Sequence, residues 1–295
     1  MKVSLLQIRS ANEVELTEAA VHTRPASCGC LIINADDWGR DNRTTNRILE
    51  CFQRHVLSSA SGMVFMEDSE RAANIAREQD LDIGLHLNLS APFSAPAVPT
   101  RLATHHQKIR ECLCANRVAR LLYHPGLADS FEYAVARQLE EFSRLYGRMP
   151  DRIDGHHHMH LSANVLLQRL LPRGTIVRRH FSYERGEKIF RNSVFRLFSS
   201  ALLGRQYRVA DFFFSLPPFA PPMRIQRIFN LAQSFIVEVE THPINPEEYR
   251  FLTGEDVLRW TNDCPPAPSF GNAVTRQHAK DSLQAVASDP KHPIC

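Results

Sequence analysis

Apolar residues follow two different periods along this chain, and the two periods alternate. Short apolar runs at about 31–35, 60–65 and 83–89 have the length of buried strands, and the last also alternates with a period of two. Between them, apolar positions recur every three or four residues, which predicts amphipathic helices at about 42–54 and 69–79. The first third of the chain therefore predicts successive strand and helix pairs.

The alternation continues to about residue 261, after an irregular region at 91–127 that contains some helix. The later predicted elements are helices at 129–146, 222–231 and 254–261 and strands at 152–159, 175–179, 209–214 and 234–241. Strands that alternate with helices favour parallel βαβ units, and about seven such units favour a barrel over a short open sheet. The sequence therefore predicts an α/β fold: a distorted or incomplete (β/α) barrel with mostly parallel strands and outer helices.

Three segments are predicted along the chain. Residues 1–28 are an N-terminal extension before the first core strand, and residues 29–262 form the barrel domain. Residues 263–295 are rich in Pro, Ala, Ser and Asp with little periodicity, which predicts a disordered C-terminal tail.

Composition narrows the functional classes for these 295 residues. The net charge is only +3, which does not indicate binding to nucleic acid. No apolar stretch approaches the roughly 20 residues that span a bilayer, and the apolar patch at 3–8 is too short for a secretory signal. The seven cysteines include two C-x-C pairs, which lack the C-x-x-C spacing of zinc knuckles, and a disulfide framework is not expected in a chain this long, so we expect most of them to be reduced thiols. The expected location is the cytoplasm, and a homo-oligomer is compatible with the sequence.

Two neighbouring carboxylates end the first predicted strand. Asp36 and Asp37 follow its apolar run, and Gly39 permits a tight turn after them. Adjacent carboxylates at a strand end repel each other, and a bound cation relieves that repulsion. One carboxylate could bind the cation while the other accepts a proton from water, although a turn or a helix cap also accounts for Asp at such a position.

Histidines are candidates in two further strands. His86 alternates with leucines, where it is either a hydrogen-bonded core residue or a metal ligand. Residues 156–160 read HHHMH, and on a strand His156, His158 and His160 would share one face. The run lies inside a core pattern, which favours a functional role over a chance surface tract.

The last predicted strand carries acidic residues. Glu238, Glu240 and His242 alternate on one face, and buried charge in a strand is costly unless it is paired or catalytic. His242 at the strand end is either a proton donor, because imidazole titrates near neutral pH, or a cap before a turn. Arg178 and Arg179 end another strand, where one of them steers a substrate oxygen or both are solvated.

Four ordered motifs resemble the YdjC-like carbohydrate deacetylase family, which includes chitooligosaccharide deacetylases and hopanoid-biosynthesis-associated deacetylases. The motifs are NADDWG at 34–39, IGLHLNL at 83–89, DGHHHMH at 154–160 and VEVETHP at 237–243. The family usually has Phe in place of Trp38 and D-S-H-x-H-x-H as its third motif. The resemblance covers about residues 29–262.

The resemblance implies a distorted (β/α) barrel that removes an N-acetyl group from an amino sugar or a glycolipid sugar with one divalent ion. By position, it implies metal ligands at Asp37, His86 and His156, a general base at Asp36 and a general acid at His242. Resemblance favours magnesium, whereas two imidazoles and one carboxylate suit zinc or another transition ion better. The implied reaction is attack of activated water on the amide carbonyl, followed by protonation of the leaving amine.

Two other functions stay open from the sequence. The same Asp and His residues could serve another metal-dependent hydrolase, such as a phosphoesterase, although that chemistry usually recruits a second metal or an Arg or Lys clamp. A non-catalytic, sugar-binding member of the family would keep the pocket without turnover.

Overall fold

The computed structural model describes residues 29–115, 118–182, 203–261 and 264–270. Seven strands in these ranges form one sheet: β1 Cys30–Trp38, β2 Ser59–Gly62, β3 Ile83–Leu87, β4 Arg152–Gly155, β5 Ile176–Val177, β6 Phe212–Ser215 and β7 Ile236–Thr241. Their order is β5-β4-β3-β2-β1-β7-β6, and every neighbouring pair is parallel. The predicted α/β class is confirmed.

Helices connect the strands and cover the outer face of the sheet. They are α1 Asn42–Gln53, α2 Ser69–Glu78, α3 Thr100–Ala115, α4 Ala128–Tyr146, α5 Ala163–Leu167, α6 Pro222–Leu231, α7 Pro246–Thr253 and α8 Glu255–Thr261. Asp41 caps α1 by accepting from the Thr44 amide, and Gly147 ends α4 with a φ of 70°. Helix α7 was not predicted, and α3 fills much of the region expected to be irregular. No helix of the described residues is long and apolar enough to cross a membrane.

The sheet curls into an incomplete barrel. Ile32 of β1 and Ile176 of β5 belong to the same buried cluster, although three strands separate β1 from β5 in the sheet. A β-bridge between Ile176 and Arg208 links the edge strand β5 to the segment before β6. A flat sheet would hold these residues far apart, so the contacts define the curl.

The strands bury both of their faces. Successive side chains of β1 alternate between the core outside the sheet and the interior of the barrel. Leu31 and Ile33 point outward into the large core shared with the helices, whereas Ile32 points into the barrel. One end of the barrel interior is apolar and contains Ile32, Ile176, Ala210, Ile236 and Phe270. Polar side chains occupy the other end, at the carboxyl ends of the strands.

The segment after α8 closes the apolar end of the barrel. The Ala267 amide donates to the Leu31 carbonyl at 2.8 Å, and the Phe270 amide donates to Asp82 Oδ2 at 2.8 Å. The Phe270 side chain is buried. Residues 264–270, the start of the segment expected to be a tail, therefore pack on the barrel. Residues 1–28 and 271–295 lie outside the described residues.

Candidate active site

Three of the predicted site residues converge at the carboxyl ends of β1, β3 and β4. Atoms of Asp37, His86 and His156 that could bind a metal lie within 4.8 Å of one another, and all three residues are buried. Asp37 Oδ1 is 3.5 Å from His86 Nε2 and 3.2 Å from His156 Nδ1. That oxygen is buried without a hydrogen-bond partner in the described part of the chain. An unpartnered carboxylate oxygen that faces two imidazole nitrogens fits a divalent cation.

The histidine run at 156–160 is not the continuation of a strand, so that prediction was wrong. Strand β4 ends at Gly155, and residues 156–161 form a 3₁₀ turn in which His157 and His158 have φ values of 53° and 56°. Left-handed backbone is unfavourable for residues with a Cβ atom, and it breaks the alternation of a strand. His156 consequently faces Asp37, whereas His158 packs against other residues.

Asp154 fixes the orientation of His86. Asp154 Oδ1 lies 2.7 Å from His86 Nδ1, and its Oδ2 accepts a hydrogen bond from Ser61 Oγ at 2.5 Å. His86 and Asp154 are register partners on β3 and β4, so strand pairing itself brings them together. With the proton on Nδ1, the lone pair of His86 Nε2 is directed at Asp37.

The electrostatic environment of His86 favours positive charge. Burial alone would lower the pKa of His86, but the neighbouring carboxylates of Asp36 and Asp154 outweigh it and raise the pKa to about 9. The same negative potential that stabilises an imidazolium stabilises a metal cation, which would take the place of that proton.

One buried arginine contacts four carboxylates beside the three converging residues. Arg178 Nη1 and Nη2 donate to the two oxygens of Asp36 at 2.7 and 2.8 Å, and Nε donates to Glu238 Oε1 at 2.7 Å. Nη2 is also 2.9 Å from Asp154 Oδ2, and Nη1 donates to Glu240 Oε2 at 3.2 Å. Because Arg178 is only 2% exposed, the alternative of a solvated arginine pair is wrong. Arg178 instead orients carboxylates.

The four carboxylates differ in how strongly they hold protons. Burial raises the pKa of each, but the positive charges of Arg178 and His86 outweigh it for Asp36 and Asp154, whose pKa values lie below the ordinary range. Burial dominates for Glu238, whose pKa is raised to about 7, and the pKa of Glu240 is raised well above its usual value. The cluster therefore contains two firm anions and two carboxyl groups that protonate readily.

Asp36, the predicted base, and His242, the predicted acid, lie close together. Side-chain atoms of Asp36, Glu240 and His242 lie within 4.8 Å of one another. Thr241 Oγ1 and the His242 amide both donate to Glu248 Oε2, at 2.9 and 2.8 Å, which anchors the end of β7 to α7. His242 is partly exposed, so its ring can meet a molecule that enters from solvent.

The other histidines of the run contribute contacts around the site. His157 stacks on His156 with ring centroids 4.1 Å apart, and His160 Nε2 lies 3.0 Å from the Arg178 carbonyl oxygen. The His158 ring meets the ring of Phe181 edge to face, with centroids 4.7 Å apart. Neither His158 nor His160 belongs to the group that faces Asp37 Oδ1.

Two residues that contact the site were not predicted from the sequence: Asp154, and Arg40, whose Nη1 donates to Asp37 Oδ2 at 2.8 Å. The sequence does contain an indication for Asp154: it stands two residues before His156 in the predicted strand, and alternate residues of a strand point to the same face. For Arg40 the sequence offered only Gly39, which permits a tight turn but does not specify which side chain that turn brings to Asp37.

An incomplete (β/α) barrel with one Asp and two His at the carboxyl ends of its strands defines a class of candidate metal-binding α/β proteins. The model of the family described as YdjC-like protein matches residues 30–263 of this chain, and the chain belongs to this family.

Relatives with curated names are carbohydrate deacetylases. The chain is 32% identical to a chitooligosaccharide deacetylase from Serratia marcescens over 136 residues, which are 46% of this chain and 52% of the relative. It is 33% identical to a carbohydrate deacetylase from Mus musculus over 144 residues, which are 46% of this chain and 44% of the relative. The matched region thus spans about half the length of these curated relatives.

A solved structure also shares the fold. It is a protein from Enterococcus faecalis assigned to cellobiose-phosphate cleavage, with a TM-score of 0.60 over 84% of this chain and 99% of that chain. The sequence identity is 19%, so this likeness concerns the fold alone.

Proposed function

We propose that this protein is a metal-dependent hydrolase that removes an N-acetyl group from an amino sugar, either free or as part of a glycolipid. The observation that carries the proposal is the convergence of Asp37, His86 and His156 around an unpartnered carboxylate oxygen. The names of the relatives support the substrate class.

Asp37, His86 and His156 are the proposed ligands of one divalent ion. Resemblance to the family favours magnesium, and the donor set of two imidazoles and one carboxylate favours zinc or another transition ion. Such an ion, when bound, polarises an amide carbonyl and lowers the pKa of a water molecule.

Asp36 is the proposed general base. Its Oδ1 accepts from Arg178 Nη2 and from Asn34 Nδ2, whereas its Oδ2 accepts only from Arg178 Nη1 among the described residues. Because its pKa is low, Asp36 is ionised at neutral pH, and Oδ2 retains lone-pair capacity for the proton of an attacking water.

His242 is the proposed general acid. An amine is a poor leaving group unless it is protonated, so the carbon–nitrogen bond breaks as His242 gives a proton to the sugar nitrogen. Water supplies the hydroxyl group to the acyl carbon, and the products are acetate and the free amino sugar.

The test is release of amine from N-acetylated chitooligosaccharides after chelation and after addition of Mg²⁺ or Zn²⁺. We expect turnover that depends on the added ion, and loss of turnover with retained metal binding in Asp36→Asn. Release of phosphate from a generic ester, without deacetylation, would support the phosphoesterase alternative. Sugar binding without turnover of either substrate would support a non-catalytic protein. The cytoplasmic location and a homo-oligomer stay predictions.

A further inference from the structure

We propose that Arg40 is a positioning residue of the metal centre that restricts Asp37 to a single ligand oxygen. The inference rests on the proposed function, because it needs Asp37 to be a ligand. Arg40 Nη1 donates to Asp37 Oδ2 at 2.8 Å, while Oδ1, which faces His86 and His156, has no partner in the described residues. The two oxygens of one carboxylate are therefore in different environments.

The local fold delivers Arg40 to this carboxylate. Asp37 has a φ of 71° and Gly39 a φ of 84°, and the Arg40 amide donates to the Asp37 carbonyl at 3.1 Å. The chain turns within these few residues, which brings the Arg40 and Asp37 side chains together. The left-handed backbone at Asp37 is unfavourable for a residue with a Cβ atom, and such strain is typical of functional sites.

The contact has a consequence for metal coordination. A carboxylate can bind a cation through one oxygen or through both. With Oδ2 held by Arg40, Asp37 offers Oδ1 alone, so the three protein ligands supply three donor atoms and leave positions for water and substrate. Partners that hold a ligating side chain in this way strengthen metal binding by fixing the ligand.

The charge of Arg40 acts in the opposite direction, since it repels a cation. Its side chain is 40% exposed, and solvent screens a charge in that position strongly. The hydrogen bond acts directly on a ligand whose side chain is only 3% exposed. We therefore expect the loss of positioning to outweigh the relief of repulsion.

A second ion pair in the chain provides a matched control. Arg71 Nη2 is 2.6 Å from Asp68 Oδ2, with the same spacing of three residues and side-chain exposures of 38% and 9%. Asp68 belongs to none of the groups of described residues that could hold a metal. Loss of Arg71 thus reports on losing a partly exposed ion pair without changing a proposed ligand.

The experiment titrates Zn²⁺, and separately Mg²⁺, into the metal-free full-length protein by calorimetry. It compares the wild type with Arg40→Met, Arg40→Lys and Arg71→Met, after circular dichroism has shown that each variant is folded. We expect Arg40→Met to bind the ion about tenfold more weakly, Arg40→Lys to recover part of the loss, and Arg71→Met to match the wild type. The visible spectrum of bound Co²⁺ should change in Arg40→Met, because freeing Oδ2 alters the coordination.

The outcomes separate the role of Arg40 from the existence of the metal centre. Equal or tighter binding by Arg40→Met, when the wild type binds metal, would overturn the role of Arg40 and leave the proposed function standing. Equal losses in Arg40→Met and Arg71→Met would also overturn it, since the effect would then be general. A wild-type protein that binds no divalent ion would overturn the metal centre and this inference together.

Discussion

Arg178 and Arg152 are both buried inside the barrel, and among the described residues they differ in the number of carboxylates that they contact. Arg178 is 2% exposed and contacts four: Asp36, Asp154, Glu238 and Glu240. Arg152 is 1% exposed and pairs with one, Asp82, at 2.9 Å. Its other Nη donates to the Ala60 carbonyl at 2.6 Å and to Asn34 Oδ1 at 3.3 Å. The first arginine has an excess of negative charge around it, and the second does not.

Burial of a charge therefore does not by itself mark a functional site. Arg152 is compensated by its partners, and its guanidinium lies 4.9 Å from the ring centroid of Phe270, at the closed end of the barrel. Around Arg178 the two ionised carboxylates, Asp36 and Asp154, outnumber the single arginine charge, and their negative potential raises the pKa of His86. An uncompensated cluster of this kind attracts a cation and separates the pKa values of its members.

Replacement of Arg178 should have the largest effect. Arg178→Met leaves the buried anions Asp36 and Asp154 without the arginine that pairs with them, so the free energy of unfolding should fall by about 3–5 kcal/mol. Turnover per folded molecule should fall about a thousandfold, because the proposed base loses its orientation. Urea unfolding and a deacetylation assay measure the two effects.

Arg178→Lys tests whether charge alone is enough. Lysine keeps the charge but cannot bind both oxygens of Asp36 in a planar fork, so stability should recover more than activity. Turnover of Arg178→Met within tenfold of the wild type would show that the cluster does not support the reaction.

The pH dependence of the free energy of unfolding tests the raised pKa of Glu238. Its pKa is about 7 in the folded protein, against an ordinary value of 4.5, mainly because of burial. Between these values the folded state holds a proton that the unfolded state has lost. The stability therefore falls as pH rises, by up to about 3 kcal/mol above pH 7.

Glu238→Gln removes this proton uptake. In urea unfolding at a series of pH values, the variant should gain stability relative to the wild type from pH 4.5 to 7 and then level off. Parallel curves for the two proteins would contradict an elevated pKa at Glu238.

Arg152 is the counterpart to Arg178 and should affect stability alone. Arg152→Met removes the guanidinium that donates to the Ala60 carbonyl and to Asp82 Oδ1, and the Asp82 side chain, which is 15% exposed, can replace that hydrogen bond with water. We expect a loss of about 2 kcal/mol, with turnover per folded molecule within a few-fold of the wild type. A loss of turnover as large as that of Arg178→Met would remove the distinction between the two arginines.

The sequence predicted the features of this site that depend on strand ends. Asp37, His86 and His156 stand at or directly after the carboxyl ends of β1, β3 and β4, and parallel strands deliver such positions to one edge of the sheet. The alternation that placed Glu238 and Glu240 on one face likewise followed from the period of a strand.

Contacts that depend on the curl of the sheet or on left-handed backbone were beyond the sequence pattern. Arg178 follows β5, which three strands separate from β1 in the sheet, and it reaches Asp36 only because the sheet curls. The run at 156–160 alternates like a strand in sequence, but the left-handed conformations of His157 and His158 replace the strand with a turn. Neither the curl of the sheet nor the left-handed backbone at His157 and His158 is marked in the sequence by a glycine at the position concerned.

The smallest effect is expected from the single acidic partner of Arg152. Asp82 Oδ1 accepts from Arg152, and Oδ2 accepts from the Phe270 amide at 2.8 Å. Asp82→Asn removes the charge and keeps one of the two acceptor oxygens, so one hydrogen bond is lost and the other is weakened. Because the Asp82 side chain is 15% exposed, water can replace the lost acceptor, and we expect a cost of about 1 kcal/mol. Urea unfolding should show this small loss, and turnover should stay unchanged because Asp82 lies at the end of the barrel away from Asp37. A change in turnover would show that the two arginine environments are coupled through Asn34, which contacts both Arg152 and Asp36.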